Sequence, residues 1–191
     1  HIDGQGRTLG GAILSTQRFV EDHLQAFLRH TGPASVEWKL DGARVQVHRL
    51  REEVRIYTRN LNDITHRLPG VAAVALGLEA ESFVLDGEVL GVDEDAKPQA
   101  FQDTMSAFGR DDAGGDRLLV TFFDVLHVDD TSLIDDPLHS RRSALEALLP
   151  SAARLPSIVT ADAVVAEAFA ANAVASGHEG VMVKAIDSTY E

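Results

Sequence analysis

Hydrophobic and polar residues alternate strictly in three successive stretches in the first third of the chain. Val36, Trp38 and Leu40 alternate with Glu37, Lys39 and Asp41. Val45 and Val47 alternate with Arg44, Gln46 and His48, and Val54, Ile56 and Thr58 with Arg55, Tyr57 and Arg59. A period of two gives each segment one buried and one open face, so the pattern predicts three half-buried strands. The Asp41-Gly42 pair between the first two is a turn signal. Upstream, Phe19, Val20, Leu24, Phe27 and Leu28 recur at roughly helical spacing, with Thr16 to cap the helix and Gly32-Pro33 to end it.

Downstream, the pattern predicts a short helix over Leu68 to Ala80, a strand over Phe83 to Val92 and a short helix over Gln102 to Phe108. Leu118 to Val128 is the most apolar run and reads as a central strand. Ser140 to Leu149 is an amphipathic helix with Ser140 as its cap, Ala161 to Ala175 is an Ala/Val-rich helix, and Val181 to Ala185 is a closing strand. Asp93 to Asp95 and Asp129-Asp130 read as solvated turns. Locally pairing strands with helices scattered between them predict an α+β protein with mainly antiparallel sheets rather than a regular βαβ series.

Composition narrows this picture. The 191 residues are 45% hydrophobic and 25% charged, which suits one ordinary globular domain. With 17 Lys+Arg against 30 Asp+Glu the net charge is -13. That argues against a simple basic clamp on nucleic acid and leaves room only for a local basic patch. The absence of cysteine excludes disulfide scaffolds, thiol nucleophiles and Cys-based metal sites, and it fits a reducing compartment. No stretch reaches the roughly 18 apolar residues of a membrane helix. The nearest candidate, Ala161 to Gly177, is interrupted by Asp162, Glu167 and Asn172. No basic region precedes an apolar run near the start, as a secretory signal would require. The first residue is His1 rather than Met, which reads as a fragment. The histidines show no close metal-ligand spacing.

Lysine usage singles out one segment. There are three lysines, Lys39, Lys97 and Lys184, against fourteen arginines, and two of the three lie inside hydrophobic strands. Desolvating an ammonium is costly, so lysine is seldom buried. Alternation puts Lys39 on one face with Glu37 and Asp41, and a plain strand lysine would pair with a neighbouring carboxylate. Its surroundings, Glu37-Trp38-Lys39-Leu40-Asp41-Gly42-Ala43-Arg44, have the form E-x-K-x-D-G-x-R. Further segments follow in order: Thr58-Arg59-Asn60, Leu85-Asp86-Gly87-Glu88, Phe122-Phe123-Asp124-Val125-Leu126, Asp136-Pro137-Leu138 with Arg141-Arg142, and Glu179-Gly180-Val181-Met182-Val183-Lys184.

This ordered set resembles the covalent nucleotidyltransferases, and most closely the ATP-dependent DNA ligases of bacterial type, over about Val36 to Glu191. Residues 1–30 carry nothing diagnostic. The resemblance implies two mainly antiparallel β-sheets flanked by helices, the DNA ligase/mRNA capping enzyme nucleotidyltransferase (ATP-grasp-like) fold. It also implies that residues 1–191 are an adenylation domain. The family's lysine-rich fifth motif, its OB-fold domain and its N-terminal DNA-binding domain are then expected outside this chain.

The resemblance further implies roles. Lys39 attacks the α-phosphate of ATP and carries AMP as a phosphoramidate, the first step of nick sealing. A lysine with its reference pKa of about 10.4 is mostly protonated at neutral pH, and desolvation or nearby cations can free the amine. Charge developing on the phosphates calls for cations and for Mg²⁺ or Mn²⁺. Arg44 and Arg59 are the implied cations near ribose and phosphate. Glu88 reaches the ribose or a metal and Glu179 serves the metal, in line with the oxygen preference of Mg²⁺. Phe123 stacks on adenine, Met182 closes the other face, and Glu37 helps to read the adenine edge. Lys184 is the basic ending of its motif, although strand parity does not place it with Glu179. Plainer readings stay open: exposed cross-strand arginines, a connection carboxylate at Glu179, and a core aromatic at Phe123. Asp86 shares a strand face with Glu88, so that one of the two would orient the other.

Expected partners are ATP and, in the full-length protein, nicked duplex DNA, with no membrane and a monomeric state. The Arg-over-Lys, Ala-rich bias suggests a high-GC bacterium, and a cytoplasmic location is expected. Rival readings are an RNA ligase or GTP-using capping-type guanylyltransferase, and a non-catalytic nucleotide-binding module. An NAD-dependent ligase is disfavoured, because its NMN-binding segment is not evident in residues 1–35. Without the missing elements, the fragment is expected to bind ATP weakly and to adenylate slowly or not at all.

Overall fold

A computed structural model of the chain describes residues 12–14, 28, 32–92 and 118–190. In chain order its elements are β1 (Ala12–Leu14), β2 (Ala34–Lys39), β3 (Ala43–Leu50), β4 (Glu53–Thr58), α1 (Pro69–Leu76), β5 (Ser82–Gly91), β6 (Leu118–Val128), β7 (Thr131–Ser132), α2 (Leu138–Leu148), β8 (Ser157–Thr160), α3 (Ala163–Ala175) and β9 (Gly180–Ala185). The helices expected over Thr16 to His30 and Gln102 to Phe108, the turn at Asp93 to Asp95, and Lys97 lie outside the described residues. Leu28 is the exception, being helical and buried. No helix among the described residues is long and apolar enough to cross a membrane. The chain forms two compact units, His1–Leu40 with Leu155–Glu191, and Asp41–Arg154.

The first unit carries a four-stranded antiparallel sheet in the order β1-β9-β2-β8. One face of its centre is Ala34 and Val36 on β2 with Val181 and Val183 on β9, all fully buried. Against that face lie Ala166, Ala170 and Ala173 of α3, with Leu28 completing the cluster. Three alanines on one helical face let the helix approach the sheet closely. The Asp162 side chain accepts the N–H groups of Val164 and Val165, satisfying two donors at the start of α3. β8 has no counterpart in the sequence pattern, since Ser157 to Thr160 is too short to show a period.

The second unit carries a five-stranded antiparallel sheet in the order β4-β3-β5-β6-β7. Its core face draws Val45 and Val47 from β3, Val54 and Ile56 from β4, Phe83, Leu85 and Val89 from β5, and Phe122 and Val125 from β6. Leu68, Val71 and Ala75 at α1 and Leu145 and Leu149 at α2 belong to the same cluster. Arg49 closes one end of α1 by donating to the carbonyls of Ala75 and Leu78.

Several local expectations are corrected. Asp41-Gly42 is not a hairpin turn: β2 pairs with β8 and β9, whereas β3 pairs with β4 and β5. The turn chemistry is present, but it carries the chain from one sheet to the other. The tight hairpin is instead β3–β4, through Arg51-Glu52, with Arg51 in the left-handed region at φ 54. Leu118 to Val128 is a strand as expected but lies one place from the centre, which β5 occupies. Ser140 is the third residue of α2; the cap position is Pro137, which is extended and makes no side-chain cap bond. Proline presets φ ahead of the first turn, and its carbonyl accepts the N–H groups of Ser140 and Arg141. Asp129 is more than a solvated turn residue, because its Oδ1 accepts the N–H groups of Glu81 and Ser82 and ties the end of β6 to the start of β5.

Gly42 is required by close approach. A Cβ there would overlap the Val89 carbonyl oxygen and come within 2.8 Å of Leu90 Cδ2 and 2.9 Å of Glu88 Cγ. The first is backbone of β5 and cannot move aside without disturbing the ladder. Gly42→Ala is therefore expected to lower stability by about 1–3 kcal/mol, the usual cost of overpacking. Urea unfolding followed by circular dichroism measures it, and an unchanged midpoint would contradict the overlap.

Candidate active site

The residues singled out by the motifs fall into two groups, one on each unit. On the first unit, the antiparallel register of β2 and β9 sets Ser35 opposite Lys184, Glu37 opposite Met182 and Lys39 opposite Gly180. Period-two alternation therefore gathers Ser35, Glu37, Lys39, Met182 and Lys184 on the face opposite the α3 core. The two ends of the sequence motifs, about 140 positions apart, meet here through backbone pairing alone.

Lys39 forms an ion pair with Glu179, and Glu179 also donates its backbone N–H to the Lys39 carbonyl at 3.2 Å. The two side chains are 23% and 39% exposed, so this pair is open to solvent. The carboxylate partner of Lys39 is thus neither Glu37 nor Asp41, the two neighbours that alternation offered. Asp41 lies beyond the end of β2 and is exposed. Gly180, at φ 139, turns the chain from Glu179 into β9 through a conformation that L side chains rarely adopt. That explains why glutamate and glycine stand side by side in this motif.

Glu37 is 2% exposed and both its oxygens are engaged. Oε1 accepts the Ser35 hydroxyl at 2.8 Å, and Oε2 pairs with Lys184 Nζ at 2.6 Å. A buried carboxylate needs such a cation, because an unpaired charge out of water is costly. Lys184 pairs with Glu37 and Glu179 with Lys39. Met182 is half-buried on the same face. On the opposite face, Trp38 packs against the His178 ring, with centroids 5.0 Å apart, and against Phe169 at 6.1 Å.

On the second unit, Arg44 and Glu88 are register partners on β3 and β5. Arg44 grips the fully buried Asp86 in a fork, Nη2 to Oδ2 at 2.6 Å and Nε to Oδ1 at 3.1 Å. Its guanidinium carbon lies 5.8 Å from the centroid of the half-buried Phe123 ring, a cation–π distance. Asp86 is accordingly the counterion of Arg44, and Glu88 is half-buried. Arg59 follows the last paired residue of β4, and Arg44 precedes the first residue of β3 paired with it, since Thr58 pairs with Val45. It stands exposed on the turn that Thr58 closes with Leu61 and Asn62. The arrangement offers a cation held in place, an aromatic face and a carboxylate on one strand triplet.

One functional pair was not anticipated. The motif aspartate Asp124 and α2's Arg141, both buried, form a second fork, Nε to Oδ1 at 2.8 Å and Nη2 to Oδ2 at 3.0 Å. Both residues were visible in the sequence as parts of separate motifs, but nothing in their spacing linked them. Among the described residues no cluster of three or more His, Asp or Glu side chains is placed to hold a metal ion. Glu88 and Glu179 each offer oxygen donors of the kind Mg²⁺ takes while keeping most of its waters.

Two antiparallel sheets with this topology, a partly exposed strand lysine on one and an arginine–aromatic pair on the other, define a DNA-ligase-type nucleotidyltransferase fold. A mycobacterial DNA ligase D complexed with ATP superposes with a TM-score of 0.66 and 28% identity, over 83% of this chain and 50% of that one. The Chlorella virus DNA ligase-adenylate shares the fold at a TM-score of 0.52 and 20% identity, over 83% and 56%. The family model for the ATP dependent DNA ligase domain matches residues 16–191, and the chain belongs to that family. A probable DNA ligase of Pseudarthrobacter chlorophenolicus is 47% identical over 189 residues, 99% of this chain and 37% of that protein. DNA ligase B of Mycobacterium tuberculosis is 44% identical over 190 residues, 97% of this chain and 37% of that protein. The chain thus spans little more than a third of the length of these relatives.

Burial lowers the pKa of His178, beside Trp38, and of His48, on β3, below the usual 6.5. The folded chain then binds fewer protons than the unfolded chain as pH falls through that value. The stability these rings contribute is complete above the unfolded pKa and declines on acidification below it. Urea midpoints are expected to fall between about pH 7 and about pH 5, with a shallower fall in His48→Gln and His178→Gln. An equally steep fall in both variants would show that other groups carry the dependence.

Proposed function

We propose that this chain is the adenylation domain of an ATP-dependent DNA ligase and that Lys39 is its nucleophile. The Lys39 amine forms a bond to the α-phosphorus of ATP, the bond from that phosphorus to pyrophosphate breaks, and the amine proton passes to solvent. The observation that carries this reading is the position of Lys39. It ends a strand whose other charged side chain, Glu37, is locked in a buried pair, yet its own amine keeps partial exposure beside Glu179. A lysine so placed is fixed along its stem and reachable at its tip, as a positioned nucleophile requires.

The remaining roles follow from chemistry and from what the relatives are named to do. Arg44, oriented by Asp86, neutralises phosphate oxygens near the ribose, and Arg59 adds a second, more exposed charge. Phe123 supplies the face for adenine, Met182 a softer contact on the base, and Glu37 with Lys184 the polar edge that selects it. Glu88 and Glu179 would hold Mg²⁺ or Mn²⁺, which supplies charge neutralisation on the phosphates when bound. The full-length protein then acts on nicked duplex DNA, as a monomer in the bacterial cytoplasm, with its DNA-binding and OB-fold parts outside residues 1–191.

Intact mass after incubation with Mg²⁺ and ATP, GTP or NAD⁺ tests the proposal, on this domain and on the full-length chain. A gain of one AMP from ATP, absent in Lys39→Ala and slowed in Glu179→Gln, is the expected result. An adduct that survives Lys39→Ala would overturn the assignment of the nucleophile. An adduct formed from GTP in preference to ATP would point to a capping-type relative.

A further inference from the structure

β6 pairs with β5 through two register shifts, and one of them falls at Phe123. Asp86 pairs with Asp124, while the next residue of β5, Gly87, pairs with Phe122. β5 advances one residue where β6 advances two, so Phe123 is the extra residue of a β-bulge. Bulges re-aim a side chain relative to the ladder. Phe122 and Val125 both reach the hydrophobic core, which simple alternation would forbid, and Phe123 is left half-buried near Arg44.

The residue next to Phe123 fixes this bulge. Asp124 is 4% exposed, and its Oδ1 accepts both the Val125 N–H at 2.9 Å and Arg141 Nε at 2.8 Å, while Oδ2 accepts Arg141 Nη2 at 3.0 Å. Arg141, also buried, spends its third nitrogen on the Asp136 carbonyl at 2.6 Å, just ahead of α2. The planar guanidinium is thereby held at three points and dictates where the Asp124 carboxylate sits. Phe123 and Asp124 are adjacent in the bulge, so holding the Asp124 side chain and the Val125 N–H restrains the backbone from which Phe123 projects. The partner of Asp124 across the ladder, Asp86, is held by Arg44 from β3. Two facing carboxylates are thus drawn to separate cations, and Phe123 and Arg44 are brought together as a consequence.

We propose that Arg141 is a positioning residue for nucleotide binding: through Asp124 it holds the bulge that presents Phe123 to the base. This rests on the reading of Phe123 as the adenine platform. The test uses the full-length chain and the rate of lysyl-AMP formation against ATP concentration, at a temperature where circular dichroism shows every variant folded. Arg141→Lys keeps the charge but loses the fork. It is expected to raise the KM for ATP about five- to twenty-fold with kcat within about twofold, and to add nothing further in a Phe123→Ala background. If Arg141→Lys does not fold, Asp124→Asn combined with Arg141→Gln removes both buried charges together. The same rise in KM, again abolished by Phe123→Ala, is expected of that pair. An unchanged KM, or effects of Arg141 and Phe123 that multiply, would overturn the inference and leave Arg141 a purely structural residue. If Phe123→Ala alone leaves KM at its original value, the platform reading itself fails, and the inference with it.

Discussion

A carboxylate removed from water must find a cation, and in this chain three do so at the motif positions. Glu37, Asp86 and Asp124 are 2%, 0% and 4% exposed, and they are paired with Lys184, Arg44 and Arg141 respectively. Each pair bridges two elements: β2 to β9, β3 to β5, and β6 to α2. Taking one member away would leave a buried charge uncompensated, a far larger cost than the pair is worth as an attraction. These pairs therefore act as register pins. A slip of one residue in the β2–β9 or β3–β5 pairing would strand a charge in the interior as well as turn the hydrophobic set outward.

The Lys39–Glu179 pair differs in kind. It lies on the same face as Glu37 and Lys184 but keeps partial solvent access at both ends. Exposed ion pairs are weak, typically below about 1 kcal/mol, so this one can open without disturbing the fold. The division of labour is consistent with the proposed chemistry. Charges that must stay still are buried and forked, and the amine that must change partners is left at the rim.

The motifs of the family thus mix two sorts of residue that look alike in sequence. Glycine at position 42 answers to the Val89 carbonyl of β5, and glycine at position 180 to a positive φ. Asp86 and Asp124 answer to arginines. Lys39 and Glu179 answer to each other and keep partial solvent access, and Glu88 and Phe123 are half-buried. Reading a motif residue as chemical or as structural requires its neighbours in space, and the buried counterions here are what separate the two.

Most of the elements were legible from period and alternation, because burying one face of a strand or helix imposes that pattern on the chain locally. Val54 to Thr58 shows this, Leu118 to Val128 was legible as an unbroken apolar run, and the α+β class follows from counting such segments. The motif set was also enough to point to the family. What the sequence left open depended on pairing at long range. Asp41-Gly42 looked like a hairpin because a turn dipeptide records only that the chain reverses, not which strand it meets. β8 was too short to carry a period, and the bulge at Phe123 left no local mark, since it arises from the mismatch of two strands. The counterions of Glu37, Asp86 and Asp124 come from residues 147, 42 and 17 positions away, and only the tertiary fold could choose among the chain's many cations. Alternation is enforced by each residue's own burial and is written into the local sequence, whereas ion-pair partners are enforced by desolvation at sites that exist only once the strands have met.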